Sequence, residues 1–392
     1  MLEKILITYG ILSLSHLLAQ SSIAHFHHVK SRKNKHKVCY LKPKVSVIIP
    51  SYNETPEWLA DCIDSLLEQK HEGGVEVLVI DDGSKNRAEL MPVYSKYAKK
   101  KGVKVILNDK NQGKRHVQKQ GFNMSTGDII VTVDSDTIIE VPYGIANIIK
   151  NFEDERIGAV TGEVRVLDTY KNLLTKLIDL RYWMAFNQER AAQSNFEVVM
   201  CCSGPFAAYR KFLIDKVKDK YVSQYFLGER CTYGDDRHLT NLILEEGYRV
   251  RYDEHSKALT HVPDNLKGYI KQQIRWNKSF YREFLWTIRF AHKHHFYMTY
   301  DLVIQTLLPF LLVLAIAVTI AQFVITQNVG LLAFYFLVLI SIANIRSAYG
   351  FYRTGDIQYL IFPIYAFLHV LVLIPIRFWS ITTIKTTHWG TR

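Results

Sequence analysis

Apolar residues are spread unevenly along this chain. Leu2 to Phe26 is one apolar stretch, broken mainly by Ser, Thr and two histidines, and from Tyr300 to Ile384 apolar residues dominate again. Between them the period changes. Short runs rich in β-branched residues, too short for typical helices, alternate with stretches of helical period. Val45–Pro50, Val75–Ile80, Val103–Leu107 and the run opening at Asp128 read as strands. Trp58–Glu68, Glu89–Lys101, His116–Met124 and His238–Glu246 read as helices. Strands and helices alternating at this spacing predict an α/β domain with a mostly parallel, doubly wound sheet.

The apolar flanks predict an integral membrane protein with its soluble domain inserted between spans. The expected division is a transmembrane helix at 1–28, a basic linker at 29–44 and a cytosolic domain at 45–265. Interfacial helices at 266–299 and a transmembrane region at 300–392 follow. The first segment carries its positive charges after the apolar run, which favours a retained signal-anchor. The last region divides into Tyr300–Ile325, Leu331–Tyr349 and Gln358–Ile384, the third carrying Pro363 and Pro375. If all three cross, the C-terminus lies opposite the soluble domain; if the third turns back, Trp389-Gly390-Thr391-Arg392 can reach it.

The formal net charge of +12 invites a nucleic-acid reading. The strongest basic cluster, Lys30 to Lys44, directly follows the first apolar segment. That position suits the positive-inside rule and anionic lipid headgroups, so membrane lipids are the expected partner and nucleic acid is not. The odd set Cys39, Cys62, Cys201, Cys202 and Cys231 has neither a disulfide framework nor zinc spacing, and reads as small buried thiols. The histidine-rich patches at Ala24–His28 and His292–His295 flank apolar segments and read as solvated interfacial groups.

Charge changes the picture most at the strand ends. The second strand runs into Asp81-Asp82-Gly83-Ser84, the third is followed by Gly113-Lys114-Arg115, and the fourth ends on Asp134-Ser135-Asp136. A doubly wound sheet binds ligands at the carboxyl ends of its strands, so these groups would meet at one crevice. There an aspartate would bind a nucleoside, and Lys114 or Arg115 would face phosphate charge. Asp134 and Asp136 would hold a divalent cation whose remaining ligands are substrate phosphates. Gly113-Lys114 lacks the Walker spacing, and the dinucleotide glycine pattern is missing. The pattern therefore points to metal-assisted use of a nucleotide sugar.

Ile49-Pro50-Ser51-Tyr52-Asn53-Glu54, Asp81-Asp82-Gly83-Ser84 and Asp134-Ser135-Asp136 resemble the A-type fold of family 2 inverting glycosyltransferases. Downstream, Ser203-Gly204-Pro205, Gly234-Asp235-Asp236-Arg237 and Gln272-Gln273-Ile274-Arg275-Trp276 follow the order found in processive membrane synthases of that family. The resemblance covers Val45 to Trp276. It implies that Asp236 is the catalytic base and that Asn53, Glu54, Asp81, Asp82, Lys114, Arg115, Asp134 and Arg275 contact the UDP moiety. It implies that Ser203, Gly204, Pro205, Asp235, Gln272 and Trp276 serve the acceptor, Trp276 by stacking on its sugar. Asp136, with Asp134, would bind Mg²⁺ or Mn²⁺.

Two groups within the family compete. Asn111–His116, Gly234–Arg237, Arg275–Phe280 and the terminal Trp389–Arg392 look like hyaluronan synthases. The single N-terminal apolar segment, Asp82–Arg87 and Tyr182-Trp183 look more like rhizobial chitooligosaccharide synthases. The matches nearest the site favour hyaluronan, from UDP-GlcNAc and UDP-GlcUA, with the growing polysaccharide moved across the plasma membrane. A chitin-type product from UDP-GlcNAc alone is the alternative. From another class, a nucleotide-sugar-sensing membrane protein without turnover remains as a contrast.

Overall fold

The computed structural model describes residues 2–34 and 40–387. Its strands are β1 (Val45–Ser51), β2 (Val75–Asp81), β3 (Val103–Leu107), β4 (Ile129–Thr132), β5 (Thr137–Ile139), β6 (Ile157–Val166) and β7 (Ala207–Arg210), then a small hairpin, β8 (Tyr225–Phe226) and β9 (Glu229–Arg230), and finally β10 (Arg249–Thr260). The first helices are α1 (Leu2–Asn34), α2 (Pro56–Leu67), α3 (Arg87–Tyr97), α4 (Lys114–Met124) and α5 (Gly144–Lys150). They are followed by α6 (Leu173–Met184), α7 (Ala191–Asn195), α8 (Lys211–Val222), α9 (Asp235–Glu245) and α10 (Leu266–Ala291). The chain ends with α11 (Phe296–Thr326), α12 (Val329–Thr354), α13 (Pro363–Leu368) and α14 (Ile374–Thr382).

Eight strands form one sheet in the order β3-β2-β1-β4-β7-β6-β10-β5. The pairs β2/β3, β1/β2, β1/β4 and β6/β10 are parallel. The short β7 enters antiparallel between β4 and β6, and β5 closes the edge antiparallel to β10. Alternation along β1 shows why both faces are covered. Val45, Val47 and Ile49 pack with Val77, Val79 and the α2 residues Leu59 and Ile63. Ile48 points the other way, with Leu78 and Ile80, onto Val117 and Phe122 of α4. Burying each such side chain contributes about 1.5–3 kcal/mol, so the sheet centre is a rigid base for the loops at its ends.

Residues 173–195 are not one helix. α6 opens with a capping box, Asn172 accepting from the Thr175 N–H and Thr175 from the Asn172 N–H, and gives way to a π-helical turn at Ala185–Arg190 before α7. Such turns widen the ladder and rotate the following side chains. This one brings Glu189 and Arg190 to the cavity, while Gln188 is buried against Ser21 of α1.

Among the described residues three helices are long and apolar enough to cross a membrane, at 296–326, 332–354 and 357–382. α1 is not one of them. Its Ser13, His16, Gln20 and His28 are buried, facing protein rather than lipid. His28 lies 2.5 Å from Glu254 and bonds the Asn187 carbonyl, and His295 stacks on Phe196 at 4.2 Å. The reading of these histidine patches as solvated is therefore corrected at His28, which is buried where the end of α1 docks on the α/β domain, whereas His292 and His295 are exposed as expected. Cys62, Cys202 and Cys231 are buried free thiols; Cys39 lies outside the described residues.

The third apolar stretch is broken, with a 3₁₀ turn, α13, a π-helical turn and α14 in succession around Pro363 and Pro375. Both its ends rest on the α/β domain. Gln358 donates to the Tyr170 hydroxyl, and beyond α14 the carbonyls of Ile384 and Thr386 accept from Arg282 and Tyr233. Trp389-Gly390-Thr391-Arg392 lies outside the described residues.

Candidate active site

The strand ends and the long α10 enclose a cavity of about 2260 Å³ that continues between the C-terminal apolar helices. Asn53, Glu54, Asp82, Lys114, Asp134, Asp136, Ser203, Gly204, Pro205, Asp235, Asp236, Gln272, Arg275 and Trp276 all line it. Of the candidate residues, Asp81 and Arg115 do not.

Asp81 is fully buried at the end of β2. Its carboxylate accepts from the Gly83 and Ser84 N–H groups, from Arg87 at 2.7 Å and from the Tyr94 hydroxyl at 2.7 Å. Against the cost of burial, these donors hold its pKa below the ordinary carboxylate value. It shapes the turn from behind. Arg115 follows Lys114 by one residue on α4, so the two side chains point in different directions. Its guanidinium donates to the Tyr221 and Tyr233 carbonyls and to Gln224. The expected contacts of Asp81 with a nucleoside and of Arg115 with phosphate are therefore not supported by their positions.

Asp82 reaches the cavity with both oxygens committed. They accept from Asn111 Nδ2, the Gln112 N–H and the Gly113 N–H at 2.7–3.0 Å, fastening the β3–α4 loop to the end of β2. Asn53, held at φ 51°, caps the same turn, accepting from the Lys85 N–H and donating its own N–H to Ser84 Oγ. Glu54 is buried and receives the Ser135 hydroxyl at 2.6 Å, tying the β1 loop to the segment between β4 and β5.

Lys114 is the electrostatic hub. Its ammonium lies 2.6 Å from Asp134 and 3.0 Å from Asp235, and these two carboxylates push its pKa up against the opposing effect of burial. Gly204 sits where a Cβ would meet Asp134 Oδ2 at 3.2 Å and Lys114 Nζ at 3.3 Å, so the Ser-Gly-Pro segment packs directly on this pair. Asp136 accepts from Thr260 Oγ1 at 3.3 Å, on β10. Nearby, His261 stacks on Trp58 at 3.8 Å and bonds Asp168.

Asp235 and Asp236 open α9, after Gly234 at φ 80°. A side chain at Gly234 would overlap Ser279 of α10, so glycine lets the two helices touch as well as making the turn. The two aspartates titrate apart. Lys114, then its hydrogen bond, keep Asp235 low despite burial. Burial first and the charge of Asp235 second push Asp236 up. Asp236 accepts from the Arg237 N–H at 2.7 Å and from the thiol of Cys201 at 3.5 Å, a weak donor. A half-buried carboxylate with such light commitments can accept a proton from a substrate hydroxyl.

Two hard carboxylates at a strand end fit a divalent cation whose other ligands are water and phosphate. Among the described residues no group of three or more His, Cys, Asp or Glu side chains is gathered as a metal site. The described residues supply part of a coordination shell. Trp276, 45% exposed, faces the cavity with Tyr182 at 6.1 Å between ring centres.

Sequence reasoning passed over Cys201, Trp58 and the charged groups Arg181 and Arg346 on the cavity wall. Arg346 had a signal: an arginine inside an apolar helix marks a functional position more often than not.

Residues 46–218 match the family described as glycosyl transferase family 2. The chain is 38% identical to an N-acetylglucosaminyltransferase of Rhizobium sp. (strain N33), over 90% of this chain and 78% of that protein. It is 35% identical to an N-acetylglucosaminyltransferase of Neorhizobium galegae, over 89% and 80% of the two chains. The solved mannosyltransferase PcManGT from Pyrobaculum calidifontis, in complex with GDP-Man and Mn2+, superposes with a TM-score of 0.60 at 21% identity, over 93% of this chain and 99% of that one. The last likeness concerns the fold.

Proposed function

The chain belongs to glycosyl transferase family 2, and we propose that it transfers N-acetylglucosamine from UDP-GlcNAc to a saccharide acceptor at a membrane surface. The observation that carries this is Asp236, half-buried and lightly bonded, facing the same cavity as Asp134 and Asp136. Asp236 takes the proton of the acceptor hydroxyl as that oxygen attacks the sugar. Lys114 and Arg275 offset charge on the departing diphosphate, and Trp276 offers the acceptor a flat apolar face. A divalent cation held by Asp136 and Asp134, Mg²⁺ or Mn²⁺, supplies further charge stabilisation when bound.

The names of the relatives support a product built from GlcNAc alone, of the chitooligosaccharide kind. This reverses the order of preference drawn from the short motifs, which put hyaluronan first. α11 and α12 are proposed to cross the membrane. The stretch at 357–382 enters and returns on the same side, since both its ends hold to the α/β domain.

Purified protein is given UDP-GlcNAc and Mn²⁺ or Mg²⁺, with and without UDP-GlcUA, and the product is digested. A chitinase-sensitive oligomer from UDP-GlcNAc alone is expected. A product that forms only with both donors and is cut by hyaluronidase would replace this reading with hyaluronan synthesis. Absence of any GlcNAc transfer would remove the activity.

A further inference from the structure

The wall of the cavity changes sign along its length. Its acids, Asp134 and Asp136 among them, come from loops of the α/β domain and the start of α9, with Glu189 the exception. The part contributed by residues 305–377 carries Arg346, His369 and Arg377 and no Asp or Glu among the described residues, set among leucines and phenylalanines. Arg181 of α6 joins them, and a single carboxylate, Glu189 of the π-helical turn, pairs with Arg181 and Arg346.

That carboxylate is already taken. Arg181 spans both its oxygens at 3.0 and 3.2 Å, and Arg346 stands 3.6 Å from Oε1. Arg377 donates to the neutral Asn277 Oδ1 at 3.1 Å, and no carboxylate among the described residues comes within ion-pairing distance of it. The three arginines also lie within electrostatic reach of His369. Guanidinium groups gathered beside apolar helices, with one shared counter-charge, leave a positive excess where desolvation is severe. Such an excess is favourable when an anion enters, and the planar fork of arginine suits a carboxylate or a phosphate bidentately.

The geometry points to an oxyanion-binding subsite on the helix side of the cavity, formed by Arg346 and Arg377 with Arg181, that holds an anionic group carried by the acceptor. Two acceptors carry such a group: a sugar chain containing an acidic unit, and a lipid-borne acceptor with a phosphate. The inference rests on the proposed glycosyl transfer only in treating the cavity as the acceptor's path. If these arginines served simply to clamp the π-helical turn onto α12, the cavity would show no preference for charge.

Binding is measured on the full chain in lipid nanodiscs with two matched pairs of probes. Chitotetraose is set against a hyaluronan tetrasaccharide, and farnesol against farnesyl phosphate. The anionic member of at least one pair is expected to bind about tenfold more tightly, with the advantage shrinking as salt rises. The sugar pair identifies an acidic chain as the source, and the lipid pair a phosphate. Arg346→Gln and Arg377→Gln should each cut the preference to about threefold or less. Equal binding within both pairs in the unmodified protein overturns the subsite, even if Arg346→Gln proves unable to fold. A protein that transfers GlcNAc but ignores charge sinks the subsite alone; one that prefers the anion but transfers no GlcNAc sinks the proposed activity alone.

Discussion

Two loops of this protein carry the same dipeptide and put it to different uses. Asp81-Asp82 ends β2, and Asp235-Asp236 opens α9. In each pair the first carboxylate is held low, by hydrogen-bond donors at Asp81 and by Lys114 at Asp235, while burial raises the second. The difference is in what the second carboxylate still has to offer. Asp82 accepts three N–H groups and thereby fastens the Gly113 loop. Asp236 has one backbone N–H and a distant thiol. Identical residues with parallel pKa shifts thus divide into a loop tie and a candidate base, and hydrogen-bond commitment, not titration, separates them.

The strongest challenge to this contrast is Asp236→Asn. As a base, Asp236 should account for roughly 10²–10⁴ in rate, so kcat should fall by about three orders of magnitude. The folded protein should not suffer. A carboxyl raised in the folded state favours folding at low pH and loses that contribution as pH rises through its folded pKa. At neutral pH the amide therefore removes a destabilising charge, and Tm should hold or rise. Retention of full synthesis by Asp236→Asn would void the assignment.

Lys114→Met tests the cation that holds Asp235 in the second loop. It strips the shared cation from Asp134 and Asp235 and leaves two partly buried carboxylates without it. About 3 kcal/mol of stability should be lost, with donor KM rising more than kcat falls. A variant as stable as the parent, measured by chemical denaturation, would mean the hub is a surface pair of little consequence.

Asp82→Asn should do less. The amide oxygen keeps part of the loop tie, while its NH₂ must face a backbone N–H. About 1–2 kcal/mol of stability is expected to go, and donor affinity should weaken several-fold with kcat nearly intact. A collapse of kcat comparable with that of Asp236→Asn would erase the distinction between the loops.

Much of this was legible in the sequence, and the failures have physical causes. β3 appears with the bounds its Val103–Leu107 run suggests, and β1 and β2 extend theirs by one residue, because consecutive β-branched residues between turn signals admit few alternatives. β6, β7 and β10 gave little signal. Thr161, Glu163 and Arg165 interrupt the apolar pattern of β6, and its pairing partners lie far along the chain. Lys114 and Arg115 were indistinguishable until α4 set their directions. Asp81 and Asp82 were indistinguishable until Arg87 and Tyr94, from α3, claimed the first. The π-helical turn that presents Glu189 makes its contacts with Ser21 of α1, Arg181 of α6 and Arg346 of α12, which no local period encodes.

The smallest expected effect reads the Asp235-Asp236 coupling directly. Only the ionised form of Asp236 can accept a proton, so kcat/KM should fall as pH drops through its pKa. Burial and then the Asp235 charge raise that pKa, which sets the acid limb above the ordinary aspartate value of about 3.9. Asp235→Asn removes the like charge, so the limb should shift to lower pH even if the overall rate falls. Lys114→Met removes a cation that favours the ionised form, so its limb should shift to higher pH. The signs are opposite although both changes delete a charged neighbour of one pair. Loss of positioning alone would lower both profiles without moving either limb, and a limb that rose in Asp235→Asn would show that another group is the base.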